Sequence, residues 1–199
     1  KFGTKVGHER AYRRFLSAAD KTNDKNSEFY LRAQDLKAIQ TKQFNDALRW
    51  YKQIVERLSL QRADDFHQKG NCLKALGKTE EALRAYSRAI ELDGTNWEYW
   101  TDRSQIYIEQ QQHALAYSDL NKAVAINAKA PMPLVLRAGV MVESGDYKSA
   151  SSDINLAIQL APRLARAYEE RALLFVRSKK YSNALEDLDK AIGFEPDMA

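Results

Sequence analysis

The chain has 199 residues, 44% hydrophobic and 29% charged, with 8 Gly, 4 Pro and a single Cys. This composition excludes collagen and a wholly disordered chain, allows a substantial core, and contains no apolar run near the roughly 20 residues that cross a bilayer. The formal net charge of +4 is carried by residues 1–27, where Lys1, Lys5, Arg10, Arg13, Arg14, Lys21 and Lys25 face Glu9, Asp20 and Asp24; the balanced remainder argues against a general nucleic-acid surface.

In chain order, the first segment is a basic leader over 1–27. Its start, "KFGTKVGHERAYRRF", lacks the hydrophobic core of a secretory signal. It also lacks an initiator Met, which leads us to expect a fragment or a processed chain. A helix is predicted over 6–20, with Tyr12, Phe15, Leu16 and Ala19 on one side, followed by the polar stretch "DKTNDKNS". Two readings stand for this leader. It is a solvated helix packed on the next unit through Tyr12 and Phe15, or its basic and aromatic residues touch an acidic partner, RNA or an anionic membrane. Membrane contact is expected only here.

Residues 28–62 form a degenerate unit. "FNDALRWYKQIVERL" supplies Phe44, Ala47, Tyr51, Ile54 and Val55 at helical spacing, displaced by 35 residues from the pattern that follows; an A helix over about 28–40 fits poorly. From residue 63 onward the period is 34. Ala82, Ala116, Ala150 and Ala184 align, as do Ala89, Ala123, Ala157 and Ala191, with Tyr86, Leu120, Ile154 and Leu188 between them and Ile90, Val124, Ile158 and Ile192 after. Apolar residues at this spacing share one face of a helix, and the alanines mark where helices approach closely. These are the B helices. Upstream of each lies an A helix with a bulky position (Phe66, Trp100, Leu134, Tyr168), a small one (Gly70, Ser104, Ala138, Ala172) and a second bulky one (Leu73, Tyr107, Met141, Phe175). Breaks such as "LGKT" and "ESGDY" separate A from B, while Gly94, Pro162 and Pro196 follow the B helices. Each unit is one helical hairpin, over 63–96, 97–130, 131–164 and 165–198.

This pattern of bulky, small and bulky residues, then Ala, bulky and Ala in the second helix, resembles the tetratricopeptide repeat (TPR). Local departures are Gly94 and Ala128 in place of the usual Pro, and Thr79 and His113 in place of the usual aromatic of early helix B. The resemblance implies an all-α, right-handed superhelical solenoid of stacked helical hairpins, with the atypical unit over 28–62 as a capping repeat. It also implies a concave trough lined by the A helices, suited to an extended peptide or a partner helix.

The expected trough residues change character along the chain. His67, Asn71, Lys74, Asp102, Gln105 and Glu109 are polar, as are Asp64, Glu98 and Thr101; Met132, Val135, Leu136 and Val142 of "PMPLVLRAGVMVES", joined by Leu173 and Val176, are apolar. A helix apolar nearly all round, as this one is with Val140 added, is covered on more than one side or presents an apolar ligand site. One subset of the family grips chaperone C-terminal carboxylates through a Lys and two Asn on adjacent A helices plus basic residues on the third. Here Asn71 is kept, but His67 stands at the Lys position, Asp102 at the second Asn, and Met132 and Leu136 at the basic positions. Acidic or apolar groups cannot neutralise a carboxylate, so carboxylate-tail binding is disfavoured.

Nothing in the sequence points to catalysis, a metal or a cofactor. His8, His67 and His113 fall in separate units without metal-ligand spacing. Lone Cys72 excludes an internal disulfide, is read as a packing residue, and mildly favours a reducing, cytoplasmic setting. The acidic doublets Asp64-Asp65, Glu80-Glu81 and Glu169-Glu170 diverge on a helix, and no glycine-rich phosphate loop is present. At the other end, Leu185, Leu188 and Ile192 have no following hairpin, so a missing cap or self-association through this edge is expected. The resulting expectation is a non-catalytic module that binds a protein or peptide and organises a multiprotein complex. The regulatory segment of a larger enzyme and a self-assembling scaffold are the alternatives.

Overall fold

The computed structural model describes residues 42–58 and 62–194, with single positions at 14, 17, 31, 34, 37 and 38. The leader helix expected over 6–20, the A helix expected over 28–40, the side chains of Ile54 and Val55, and Pro196 otherwise lie outside the described residues. Among those residues the chain is all-α, and it forms two compact units, 1–94 and 95–199.

In the first unit α1 (Phe44–Leu58) packs on α2 (Ala63–Ala75), which pairs with α3 (Thr79–Leu92) as a hairpin. The second holds three hairpins: α4 (Trp97–Glu109) with α5 (His113–Ile126), α6 (Pro131–Ser144) with α7 (Tyr147–Leu160), and α8 (Ala165–Arg177) with α9 (Tyr181–Phe194). The B helices α5 and α7 also pack on the A helices that follow them, and successive A helices touch, α4 with α6 and α6 with α8. That is solenoid stacking of helical hairpins.

Every described A–B turn is built alike. Gly77, Gln111, Gly145 and Lys179, one repeat apart, all adopt left-handed backbone, with φ of 71°, 58°, 84° and 57°. The following amide donates back across the turn to the carbonyl of the second bulky residue: Lys78 to Leu73 (2.9 Å), Gln112 to Tyr107 (2.8 Å), Asp146 to Met141 (2.9 Å) and Lys180 to Phe175 (2.8 Å). These bonds satisfy helix-end carbonyls as in a Schellman motif. The degenerate unit makes the same turn, with Lys42 at φ 57° and the Gln43 amide on the Ala38 carbonyl (2.8 Å). Starts are set by different residues: Asn96 accepts from the Glu98 amide, Asp146 from the Ser149 amide, and α6 begins with Pro131 at its first turn.

The aligned alanines are where the helices meet. Ala82, Ala89, Ala116, Ala123, Ala150 and Ala157 are fully buried, and Ala184 and Ala191 nearly so. The A–B contact is then completed in two ways. In the first unit Gly70 faces Tyr86, and a Cβ added at Gly70 would lie 2.5 Å from the Tyr86 ring; the Tyr86 hydroxyl donates to Asn71 Oδ1 at 2.7 Å. In the second unit an arginine of each A helix forks onto an aspartate of its own B helix. Arg103 Nε and Nη2 meet Asp119 (both 2.8 Å), Arg137 meets Asp153 (2.7 and 2.9 Å), and Arg171 meets Asp187 (2.6 and 2.9 Å). The remaining Nη1 of Arg137 reaches Asn121 of the preceding B helix (2.9 Å), and that of Arg171 reaches Asn155 (3.3 Å). One guanidinium thus ties three helices together, a planar fork that Lys could not supply.

Candidate protein-interaction surface

In residues 95–199 the A helices α4, α6 and α8 lie in succession as one layer. Side chains one repeat apart on these helices form rows. The clearest is Glu109, Glu143 and Arg177, in which Arg177 Nη2 lies 3.0 Å from Glu143 Oε1 across α8 and α6. A second row is Gln105, Gly139 and Leu173, and a third Ile108, Val142 and Val176. Along the third row Ile108 is half-buried, Val142 on the flanked middle helix is buried, and Val176 is 43% exposed.

The predicted site residues separate accordingly. Gln105, Met132 and Leu173 are half-buried, and Glu109 and Val176 are exposed. Asp102, half-buried, accepts from Gln105 Nε2 at 3.4 Å. Val135 and Val142 are core residues: Val135 sits among Leu134, Ala157 and Ala167, and Val142 among Ala138, Met141, Ile154 and Leu174. They offer no surface to a ligand. Half-buried Leu136 packs against the cluster of Ala116, Leu120 and Val140. The all-round apolar character of α6 is therefore met by cover from its neighbours, which is the first of the two readings of that helix. In the first unit His67 is buried beside Tyr86, with ring centroids 5.8 Å apart; Asn71 holds the Tyr86 hydroxyl; Lys74 is half-buried.

Glu170 is a further constituent of this layer. Its carboxylate occupies the space above Gly139, where an added Cβ would come within 2.9 Å of Oε2, and pairs with Arg166 at 2.7 Å. Burial pushes the Glu170 carboxyl above its ordinary range, against the opposing pull of Arg166. In the arginine clamps the balance goes to the ion pair. Burial opposes the charge of Arg103, but the hydrogen bond and charge of Asp119 outweigh it and raise its pKa; the hydrogen bond to Asp187 does the same for Arg171 against its own burial. The arginine and aspartate positions carry a sequence signal, since both recur every 34 residues, and so does the row of Glu143 and Arg177. Among the described residues no group of three or more His, Cys, Asp or Glu is placed to hold a metal ion, and no helix is long and apolar enough to cross a membrane. Cys72 is buried in the Ala38 and Ala47 cluster.

Solved structures share this fold. The chain is similar to MamA (residues 41 to the end) from Desulfovibrio magneticus RS-1, with 17% identity over 84% of this chain and 94% of that one and a TM-score of 0.71. It is similar to YrrB, described as a TPR protein with an unusual peptide-binding site, at 22% identity over 92% and 93% of the two chains and a TM-score of 0.68. The first TPR of Spaghetti (RPAP3), bound to the HSP90 peptide SRMEEVD, matches at 27% identity over 61% of this chain and 94% of that one, with a TM-score of 0.56. Family profiles described as Tetratricopeptide repeat match residues 63–96, 98–129 and 165–198, together just over half of the sequence. With hairpins, turns and buried alanines all recurring on that period, the chain belongs to the tetratricopeptide repeat family.

Proposed function

We propose that this chain is a non-catalytic protein-interaction module whose A-helix layer binds an extended peptide or helix of a partner and so organises a multiprotein complex. In this reading 1–27 is the leader, 28–62 a degenerate capping repeat, and 63–198 four full repeats. The observation that carries the proposal is the Glu143–Arg177 pair: it sets residues one repeat apart on α6 and α8 side by side on a single surface. Gln105, Glu109, Met132, Leu173 and Val176 offer the contacts of residues 95–199; in the first unit, taken by itself, half-buried Lys74 is left as a contact, since His67 is buried and Asn71 holds the Tyr86 hydroxyl. Polar groups at one end and apolar groups on α8 suit a peptide with a polar segment followed by apolar anchors. The peptide-binding site named for YrrB and the peptide held by the RPAP3 repeat support the same use of the fold.

The peptide is of a different kind from a free carboxylate tail. His67, at the Lys position, is buried, Asn71 is engaged by Tyr86, Asp102 stands at the second Asn, and Met132 and Leu136 stand where such a tail needs cations. Selection from a displayed peptide library, followed by titration of the best peptide against Val176→Glu, tests the proposal. A charge at an exposed anchor should weaken binding about tenfold or more without altering the circular dichroism spectrum. Unchanged affinity in that variant and in Glu109→Lys would remove the A-helix layer from binding.

A further inference from the structure

We infer that Glu170 is a specificity-determining residue of the A-helix layer, whose carboxylate, set over Gly139, receives the ammonium of a lysine in the bound peptide. This rests on the reading of the layer proposed above and names the charge it selects. In the row of Gln105, Gly139 and Leu173 the middle member has no side chain. Gly139 lies inside α6 with ordinary helical backbone, where glycine is a poor choice, and the residues one repeat away are larger. The missing side chain provides room. Glu170 leans in from α8, so that a Cβ on residue 139 would lie 2.9 Å from its Oε2, and a ligand can approach the backbone closely at such a point.

The carboxylate is held in place but not used up. Its side chain is 9% exposed, and Oε1 meets Arg166 Nη2 at 2.7 Å. Oε2 takes no hydrogen bond from a described residue and is not sealed from solvent. Burial, with the like charges of Glu169 and Glu143 adding to it, raises the carboxyl pKa against the pull of Arg166. A glutamine of the same shape would fill this space without that cost, so the charge has a use outside the fold. The rest of the layer has the same sign. Arg103, Arg137 and Arg171 are taken by aspartates of the B helices; α4, α6 and α8 then carry Glu98, Asp102, Glu109, Glu143, Glu169 and Glu170 against Arg166 and Arg177, and both of these are already paired with glutamates. Such a field draws a cation. Because Arg166 occupies one oxygen, a single-point donor suits Oε2 better than a guanidinium, which prefers both oxygens of a carboxylate at once. The match is a lysine, placed between the polar groups of α4 and the apolar anchor Val176.

The probe is the tightest peptide selected on the 199-residue chain from a displayed random library, titrated with its lysine intact and with that lysine replaced by norleucine or by arginine. The selected peptides should share a lysine, and norleucine should weaken binding about tenfold or more. Glu170→Gln should weaken the lysine peptide to a similar degree and leave the norleucine peptide unaffected, with the circular dichroism spectrum unchanged. The arginine peptide should bind less tightly than the lysine one. Peptides without a common lysine, a norleucine penalty that persists in Glu170→Gln, or arginine bound as tightly as lysine overturns the inference. If Val176→Glu still weakens binding in those cases, the A-helix layer keeps its role and the lysine site alone falls. Failure to select any peptide, or affinity untouched by both Val176→Glu and Glu109→Lys, removes the layer and the lysine site together.

Discussion

The hairpin of residues 63–92 and the three hairpins within 95–194 follow one backbone plan but close the A–B contact by different chemistry. The first uses size: Gly70 leaves room for Tyr86, whose hydroxyl finds Asn71. At the equivalent positions the others have Ser104 and Leu120, Ala138 and Ile154, and Ala172 and Leu188, so a larger residue on A goes with a smaller one on B. They add the Arg–Asp clamp, where the first hairpin has Lys69 and Ala85. Lys69 points elsewhere, with Nζ 5.2 Å over the Tyr51 ring. A fixed hairpin geometry therefore demands a total volume and a satisfied set of polar atoms at this contact, not particular residues.

Breaking a clamp is the strongest test. Asp153→Ala strands the largely buried Arg137 guanidinium, and we expect a loss of about 3 kcal/mol, read from urea unfolding. Replacing Arg137 and Asp153 together with Met and Leu should restore much of that loss, because no unpaired charge is left behind. A single Asp153→Ala effect within 0.5 kcal/mol of zero, the range of an ordinary surface substitution, would show the clamps to be incidental.

Volume matching is tested next. Gly70→Ala forces a methyl against a fully buried ring held by its hydroxyl, for an expected loss of about 2 kcal/mol, and Tyr86→Leu in the same chain should recover part of it. Gly139→Ala is the control. Its Cβ would meet only the end of the Glu170 side chain, and the gain in helix propensity offsets the crowding, so near-neutrality is expected.

The turns sharpen the comparison at a smaller scale. Two of the five described turns use glycine for the left-handed residue and three do not, so Lys179→Gly should stabilise by about 0.5 kcal/mol. The reverse change, Gly77→Lys, should cost about 1 kcal/mol. A destabilising Lys179→Gly or a stabilising Gly77→Lys in thermal unfolding would contradict the assigned backbone.

The smallest effect is the pH dependence of Glu170. Its carboxyl is raised in the folded chain, so its contribution is fully present below the ordinary glutamate range. That contribution is lost as pH rises through the raised value, because the folded state must then bury a charge. Glu170→Gln should flatten the stability profile across that window and leave the variant at least as stable as the parent at neutral pH. A profile of unchanged slope would mean that Arg166, itself half exposed, compensates the charge fully.

Much of this is legible in the sequence, for a physical reason: in a solenoid each unit contacts its neighbours in the same way, so packing constraints recur with the repeat length. The alanines of the B helices and the small and bulky positions of the A helices are all visible as a 34-residue period. The clamps are periodic too, yet periodicity alone does not distinguish a paired arginine from a solvated one. Arg137 and Asp153 acquire meaning only when the hairpin closes and brings residues 16 apart to 2.7 Å.

By itself the sequence determined the class of fold, the repeat register and the side of each helix that packs, because these follow from local propensity and the spacing of apolar groups. Only the tertiary structure decided which apolar residues of α6 are covered, since Val135 and Val142 are buried by neighbouring helices whose approach no single-helix pattern specifies. It decided likewise that Asn71 is held by Tyr86 and that Glu170 fills the space over Gly139. Burial and pairing are properties of two surfaces in contact, and a linear pattern describes only one of them at a time.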